Sequence, residues 1–147
     1  QKLGHNWHDS LAYYIKAVEH SSRAEPLIRI AQYYSKTKNW LISFQFAQWA
    51  CSLPYPSDAI LFVDKYAYEY IRWHILGIVS YYCHNYKEGK LGCEKAIEKG
   101  LNVELDKKNL QFYLDKEKEE AENKNPVSKK QFIQNTIIEL QKTNSKI

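Results

Sequence analysis

Residues 39–50 read NWLISFQFAQWA, and two other stretches share that skeleton: NWHDSLAYYIKA at 6–17 and NYKEGKLGCEKA at 85–96. Each opens on Asn followed by a large aromatic (Trp40, Trp7, Tyr86). A small residue comes three positions after the aromatic (Ser43, Ser10, Gly89). A further position follows four later (Ala47, Tyr14, Cys93), and Ala closes the pattern three beyond that (Ala50, Ala17, Ala96). Recurrence at fixed offsets marks an internal repeat, and steps of three and four place the recurring positions on one face of a helix. Asn6, Asn39 and Asn85 are expected to cap these helices, their side-chain oxygens accepting from unpaired backbone N–H groups. The aromatic wedges between the two helices of a hairpin, and the small residue lets a neighbouring helix approach closely.

The first helix of each hairpin precedes the motif. Leu27, Ile30, Ala31 and Tyr34 stand at i, i+3, i+4 and i+7, and Ile75, Ile78, Val79 and Tyr82 repeat that stripe ahead of Asn85. A helix pair of about 34 residues that closes its apolar face only against its neighbours is the logic of the tetratricopeptide repeat, TPR. The expected fold is therefore all-α: a TPR-like superhelix of helical hairpins with an inserted loop and C-terminal capping helices. From Trp7 to Trp40 is 33 residues but from Trp40 to Tyr86 is 46, so the insertion falls within SLPYPSDAILFVDKYAYEY (52–70). Pro54 and Pro56 end a helix there, Ser57 or Asp58 caps a short turn, and Leu61-Phe62-Val63 is expected to tuck inward before a long helix starting near Asp64. After Gly100, a charged helix keeps Leu110, Tyr113 and Leu114 on one side. Asn125-Pro126 breaks it, and Ser128-x-x-Gln131 opens a last helix striped with Phe132, Thr136, Ile137 and Leu140. Residues 1–147 are read as one helical domain, with repeat helices over 6–100 and capping helices over 105–144.

Composition narrows the function classes. Hydrophobic residues at 44% and charged residues at 26% suit a globular chain, and scarce Gly (5) and Pro (4) disfavour a turn-rich β fold. The formal charge is only +4, and lysines alternate with glutamates, as in Lys116-Glu117-Lys118-Glu119-Glu120, so no nucleic-acid partner is expected. Cys51, Cys83 and Cys93 form no CxxC pair, which points to a reduced, intracellular setting. Ile71–Cys83 is too short and too interrupted to span a membrane. The chain starts at Gln1 and contains no methionine, and it reads as a segment of something longer.

Candidate chemistry is sparse, and no catalytic, cofactor or metal site is assigned. His5 and His8, with Asp9, allow a metal site, but an Asn-capped helix start accounts for the same residues. Cys83-His84 has the composition of a nucleophile–base pair, yet adjacent helical residues point about 100° apart. Gly89-Lys90-Leu91-Gly92 lacks the spacing of a phosphate loop. The aromatics exceed what three repeats require. Most are read as core, while Tyr66, Tyr70 and Trp73, which flank the insertion, are the candidates for a surface that stacks on a sugar or an extended peptide. In Arg23-Ala24-Glu25-Pro26, Ser22-x-x-Glu25 fits a capping box with Pro26 in the first turn. Arg23 then either pairs with a neighbouring acid such as Glu19 or projects as a ligand contact.

The run from Arg23 to Ile97 (RAEPLIRIAQYYSKTKNWLISFQFAQWACSLPYPSDAILFVDKYAYEYIRWHILGIVSYYCHNYKEGKLGCEKAI) resembles the TPR-like helical region that follows the catalytic domain in family 2, GT-A type glycosyltransferases common in giant viruses and some microbes. The landmarks are RAEPL, the pair Tyr33-Tyr34, the PYP…D…LFV insertion, Tyr68-Glu69-Tyr70, and YY…NYKEG…CEKA. The resemblance implies a non-catalytic accessory or scaffold part of a glycosyltransferase. Its partner would be another protein, the catalytic domain of the same chain, or a glycan or glycoprotein acceptor, in a host cytoplasm or virion. A free-standing peptide-binding or oligomerisation module is the alternative. Where the family carries an acidic pair, this chain has His74-Ile75. No DxD pair of the kind that holds a divalent metal against a nucleotide sugar occurs in the 147 residues.

Overall fold

The computed structural model describes residues 6–59, 62–124 and 126–144, and these are helical with no strand among them. In chain order the helices are α1 (Trp7–Ser21), α2 (Ala24–Lys36), α3 (Trp40–Ser52), α4 (Arg72–Tyr82), α5 (Tyr86–Lys99), α6 (Glu104–Lys124) and α7 (Pro126–Asn144). A π-helical turn, Ala67–Ile71, leads directly into α4. His5, Leu61, Asn125 and the Ser128 side chain of the anticipated capping box lie outside the described residues.

Two hairpins, α2–α3 and α4–α5, end their first helices in the same way. Lys38 (φ 60°) and His84 (φ 57°) are left-handed. Asn39 N–H donates to Tyr34 O at 2.8 Å and Lys38 N–H to Ser35 O at 3.1 Å. Asn85 N–H donates to Ser80 O at 2.9 Å and His84 N–H to Tyr81 O at 3.2 Å. Both are Schellman turns, in which the left-handed residue lets two orphan carbonyls find donors. This corrects the expected role of the asparagines. Asn6 does cap α1 through its side chain, which accepts from His8 N–H at 3.2 Å. Asn39 and Asn85 make no such bond. Their side-chain amides turn back instead, Asn39 Nδ2 to Thr37 Oγ1 at 2.9 Å and Asn85 Nδ2 to Cys83 O at 3.1 Å.

The shared turn also corrects the register. Tyr34 corresponds to Ser80, not Tyr82, so the first-helix stripe read from the sequence is two residues out, and Ala31 corresponds to Gly77. The small-residue positions then explain themselves. Ser43 Oγ donates to Ala31 O at 2.7 Å, fastening α3 to α2. In the second hairpin Gly89 replaces that serine, and a Cβ on Gly89 would lie 2.1 Å from the ring of Tyr113. Tyr113, from the first half of α6, occupies the space, and its hydroxyl donates to Gly77 O at 2.6 Å. α4 and α5 meet backbone to backbone, since a Cβ on Gly92 would fall 2.6 Å from Gly77 N.

The core gathers Leu27, Ile28 and Ala31 of α2, Phe44, Ala47 and Ala50 of α3, Tyr68, and Ile75, Leu76 and Val79 of α4. Each repeat aromatic reaches the following helix: Trp7 stacks on Tyr33 (3.5 Å between centroids, 7°) and Trp40 on Tyr82 (4.0 Å, 9°).

The chain divides into two compact units, one ending at Tyr113 and the other beginning at Leu114. Every buried residue among those described lies at or before Tyr113. Beyond it α6 turns to charged side chains, and on α7 Phe132, Ile133, Ile137 and Leu140 are all exposed.

Candidate functional site

The RAEPL stretch is a joint of three segments. Ser22 is not a capping residue for α2; it ends α1 in the left-handed region (φ 48°), and Arg23 takes the N-cap position without a side-chain cap bond. The cap arrives from a distance. Tyr68 hydroxyl accepts from Ala24 N–H at 2.9 Å and donates to Glu25 Oε2 at 2.9 Å. Arg23 pairs with Glu25, not with Glu19, and its Nη2 also donates to Phe62 O at 2.8 Å. Asp64 N–H points at Glu25 Oε1 at 3.4 Å. Two side chains of α2's start therefore clasp the end of the insertion. Burial pulls the Glu25 carboxyl up, but the bonds from Arg23, its own backbone and Tyr68 outweigh it and hold the group below its ordinary value. Burial pushes the Tyr68 phenol up.

The clasped segment corrects a further expectation. Phe62 is fully exposed while Val63 is half-buried, because successive side chains of an extended segment alternate in direction. Arg72 is a node that sequence reasoning missed. Its Nη1 donates to Ala50 O at 3.0 Å and Leu53 O at 2.6 Å, and its Nε to Tyr68 O at 2.6 Å, tying the end of α3 to the π turn. Burial lowers its pKa.

Tyr66 and Tyr70 come together, joined by His74. Their rings form a ladder, Tyr66 on Tyr70 at 5.0 Å and Tyr70 on His74 at 5.2 Å. Tyr70 thus contacts both rings, and its hydroxyl donates to Asp106 Oδ2 at 3.1 Å. His74 Nδ1 lies 2.6 Å from Asp106 Oδ1. Burial, with the Asp106 carboxylate beside it, pushes the Tyr70 phenol up to about 12. Asp106 is fully buried, so this Tyr–His–Asp set fastens α6 to α4 through satisfied bonds. Trp73 packs against the core with the Arg72 guanidinium 5.2 Å from its ring centroid. Of the three aromatics singled out from sequence, Tyr66 alone is exposed, and Tyr70 and Trp73 are half-buried. Arg23 belongs to the separate clasp described above.

Cys83 and His84 do not form a catalytic pair: burial raises the Cys83 thiol, and His84 Nδ1 bonds Tyr86 hydroxyl at 2.9 Å. Burial likewise pushes Cys51 and Cys93 up to about 12. Among the described residues no cluster of three or more potential metal ligands occurs.

One of the clefts on the surface, of about 350 Å3, lies at the clasp and is lined by Arg23, Glu25 and Phe62; another, of about 300 Å3, lies between α4 and the first half of α6. Gly77, Ile78, Tyr81 and Tyr82 line one wall, and Asn109, Phe112 and Tyr113 the other. Phe112 is 57% exposed and Tyr82 52%. The Asn109 side-chain amide has no partner among the described residues. These residues were not singled out from the sequence. Tyr81 and Tyr82 read as core aromatics, and nothing in the spacing brings Phe112, thirty positions on, beside them.

No protein-family model matches the chain, and neither a curated protein nor a solved structure matches it. Among the described residues no helix is long and apolar enough to cross a membrane.

Proposed function

We propose that this chain is a TPR-like α-solenoid acting as a non-catalytic binding module, and that the α4–α6 cleft is where it receives an extended segment of a partner. The observation that carries the reading is the exposure of Tyr82 and Phe112 across a groove whose polar group, Asn109, is unengaged. Partly exposed aromatic rings lining a groove that also holds a side-chain amide suit a peptide side chain and its backbone. The repeated Schellman turn and the matched Ala31 and Gly77 positions support the solenoid.

The resemblance of residues 23–97 to glycosyltransferase-associated helical regions supports placing the module beside such an enzyme, where it orients the catalytic domain or an acceptor. The purified chain is expected to turn over no nucleotide sugar while retaining partner binding that Phe112→Ala weakens. Turnover by the isolated chain overturns the non-catalytic reading. An in-frame GT-A domain with a DxD pair upstream of Gln1 supports the enzyme association, and a start codon immediately upstream favours a free-standing peptide-binding module.

A further inference from the structure

We infer that the exposed face of α3 carries a second binding site, separate from the α4–α6 cleft, which takes a neutral saccharide with a pyranose ring laid on Trp49.

Trp49 is the tryptophan that the fold does not use. Of the four in the chain it alone is exposed, at 46%. Trp7 and Trp40 are stacked on Tyr33 and Tyr82, and Trp73 packs against the core. Trp49 meets the Phe46 ring at 6.4 Å between centroids with 26° between the planes, a looser contact than the 3.5 and 4.0 Å of the two stacked pairs. An indole left in water forfeits the burial that the other three recover.

The side chains around it are neutral or acidic. Trp49 lines two depressions: one of about 600 Å3, with Gln45, Gln48 and Ser52, and one of about 380 Å3, with Glu19 and Ser22. Gln48 is held in place, its Nε2 donating to both carboxylate oxygens of Glu88 at 3.0 and 2.8 Å. The Gln45 amide and the Glu19 carboxylate have no partner among the described residues. Residues 39–57 contain no charged side chain, and the charges that the lining and its bonds bring to Trp49 are carboxylates, Glu19 and Glu88. An anionic ligand is therefore repelled.

A pyranose fits this set. It presents a face of C–H bonds, which lies on the electron-rich face of an indole, and a rim of hydroxyls. Amides donate and accept, and carboxylates accept, so both match groups that do both. An extended proline-rich peptide also lies on tryptophan, but proline has no N–H, and a polyproline segment offers Glu19 and Glu88 nothing to accept. A cation over the ring would leave the amides of Gln45 and Gln48 without a task.

Screening the full chain on an array of neutral, sialylated and sulfated glycans tests the inference, with a proline-rich peptide and choline titrated alongside. The expected outcome is binding confined to neutral glycans. The best-bound glycan, titrated in solution, should weaken about tenfold or more against Trp49→Ala, recover in part with Trp49→Phe, and weaken about threefold against Gln45→Ala. These side chains are exposed, so the variants should keep the Tm of the natural chain. Phe112→Ala should leave glycan binding unchanged, so that failure of this site and failure of the α4–α6 cleft are seen separately. Preference for sialylated or sulfated glycans overturns the neutral assignment. Absence of glycan binding in the millimolar range, or binding that Trp49→Ala leaves intact, overturns the inference. Binding of the peptide or of choline through Trp49, with no glycan bound, overturns it in favour of a protein or a cation.

Discussion

Glu25 shows how one side chain can replace a local cap. The sequence around it resembles a capping box, but the hydroxyl that caps α2 belongs to Tyr68, more than forty residues away. Glu25 accepts from Tyr68 and Arg23 and holds Asp64 N–H in reach, so its charge organises the start of α2 and the end of the insertion together. Because its pKa in the fold lies below the ordinary value of 4.5, the unfolded chain binds the proton more readily. The stabilisation it contributes is therefore complete above that ordinary value and is lost as pH falls through the lower, folded value. Glu25→Gln should lower stability at neutral pH and flatten the loss of stability as pH falls below the ordinary value of 4.5. Tyr68→Phe should cost about 1–2 kcal/mol at neutral pH by leaving Ala24 N–H unpaired. Urea midpoints for the three proteins across that pH range provide the check. Parallel acid profiles for the natural chain and Glu25→Gln would remove Glu25 from the joint.

At the scale of the helices, the two hairpins solve one problem with different residues. A hydroxyl must reach a first-helix carbonyl where two helices touch. In α2–α3 it comes from Ser43, and in α4–α5 from Tyr113 of the next helix, entering over Gly89. Gly89→Ala should therefore expel the Tyr113 ring and cost about 2–4 kcal/mol, well above the usual small effect of alanine in a helix. Tyr113→Phe should cost about 1–2 kcal/mol by orphaning Gly77 O. In Gly89→Ala/Tyr113→Ala the clash disappears, and the two changes should fall short of additive in denaturant titrations. Full additivity would show that the glycine and the tyrosine do not share the space. The same pair of hairpins shows why some features were legible in the sequence and others were not. The helices and their pairing were readable because apolar spacing alone reports a helix face. The register slipped by two because Tyr34 and Tyr82 look alike, whereas the determinant is the left-handed turn after Ser80, formed by residues with no glycine to announce it. Arg72 went unnoticed because a lone arginine on a helix has no signature until the carbonyls of Ala50 and Leu53 end beside it. The cleft was hidden for a similar reason: Tyr81 and Phe112 come within 6.1 Å only once Tyr113 and Asp106 fasten α6 to the π turn and α4.

For the molecule as a whole, burial divides the stabilised first unit from the C-terminal residues. Described buried side chains end at Tyr113, and the cleft is lined wholly by residues up to that point. The remainder of α6 carries Lys116, Glu117, Lys118, Glu119 and Glu120 in succession, and exposed helix pairs of that kind contribute only a few tenths of a kcal/mol each. On α7, Phe132, Ile133, Ile137, Ile138 and Leu140 are exposed, so they add little to the buried area on which stability chiefly depends. A chain ending at Lys124 should therefore keep the Tm of the complete chain within about 2 °C, since an effect of a few tenths of a kcal/mol shifts a domain of this size no further. It should also keep the partner affinity that Phe112→Ala removes. Calorimetry and binding measured side by side on the two lengths decide the point. A drop of 10 °C or more, about what a loss of 2–3 kcal/mol produces, would mean that the segment from 126 to 144 covers apolar surface of the first unit in solution, and the stable module would then have to include α7.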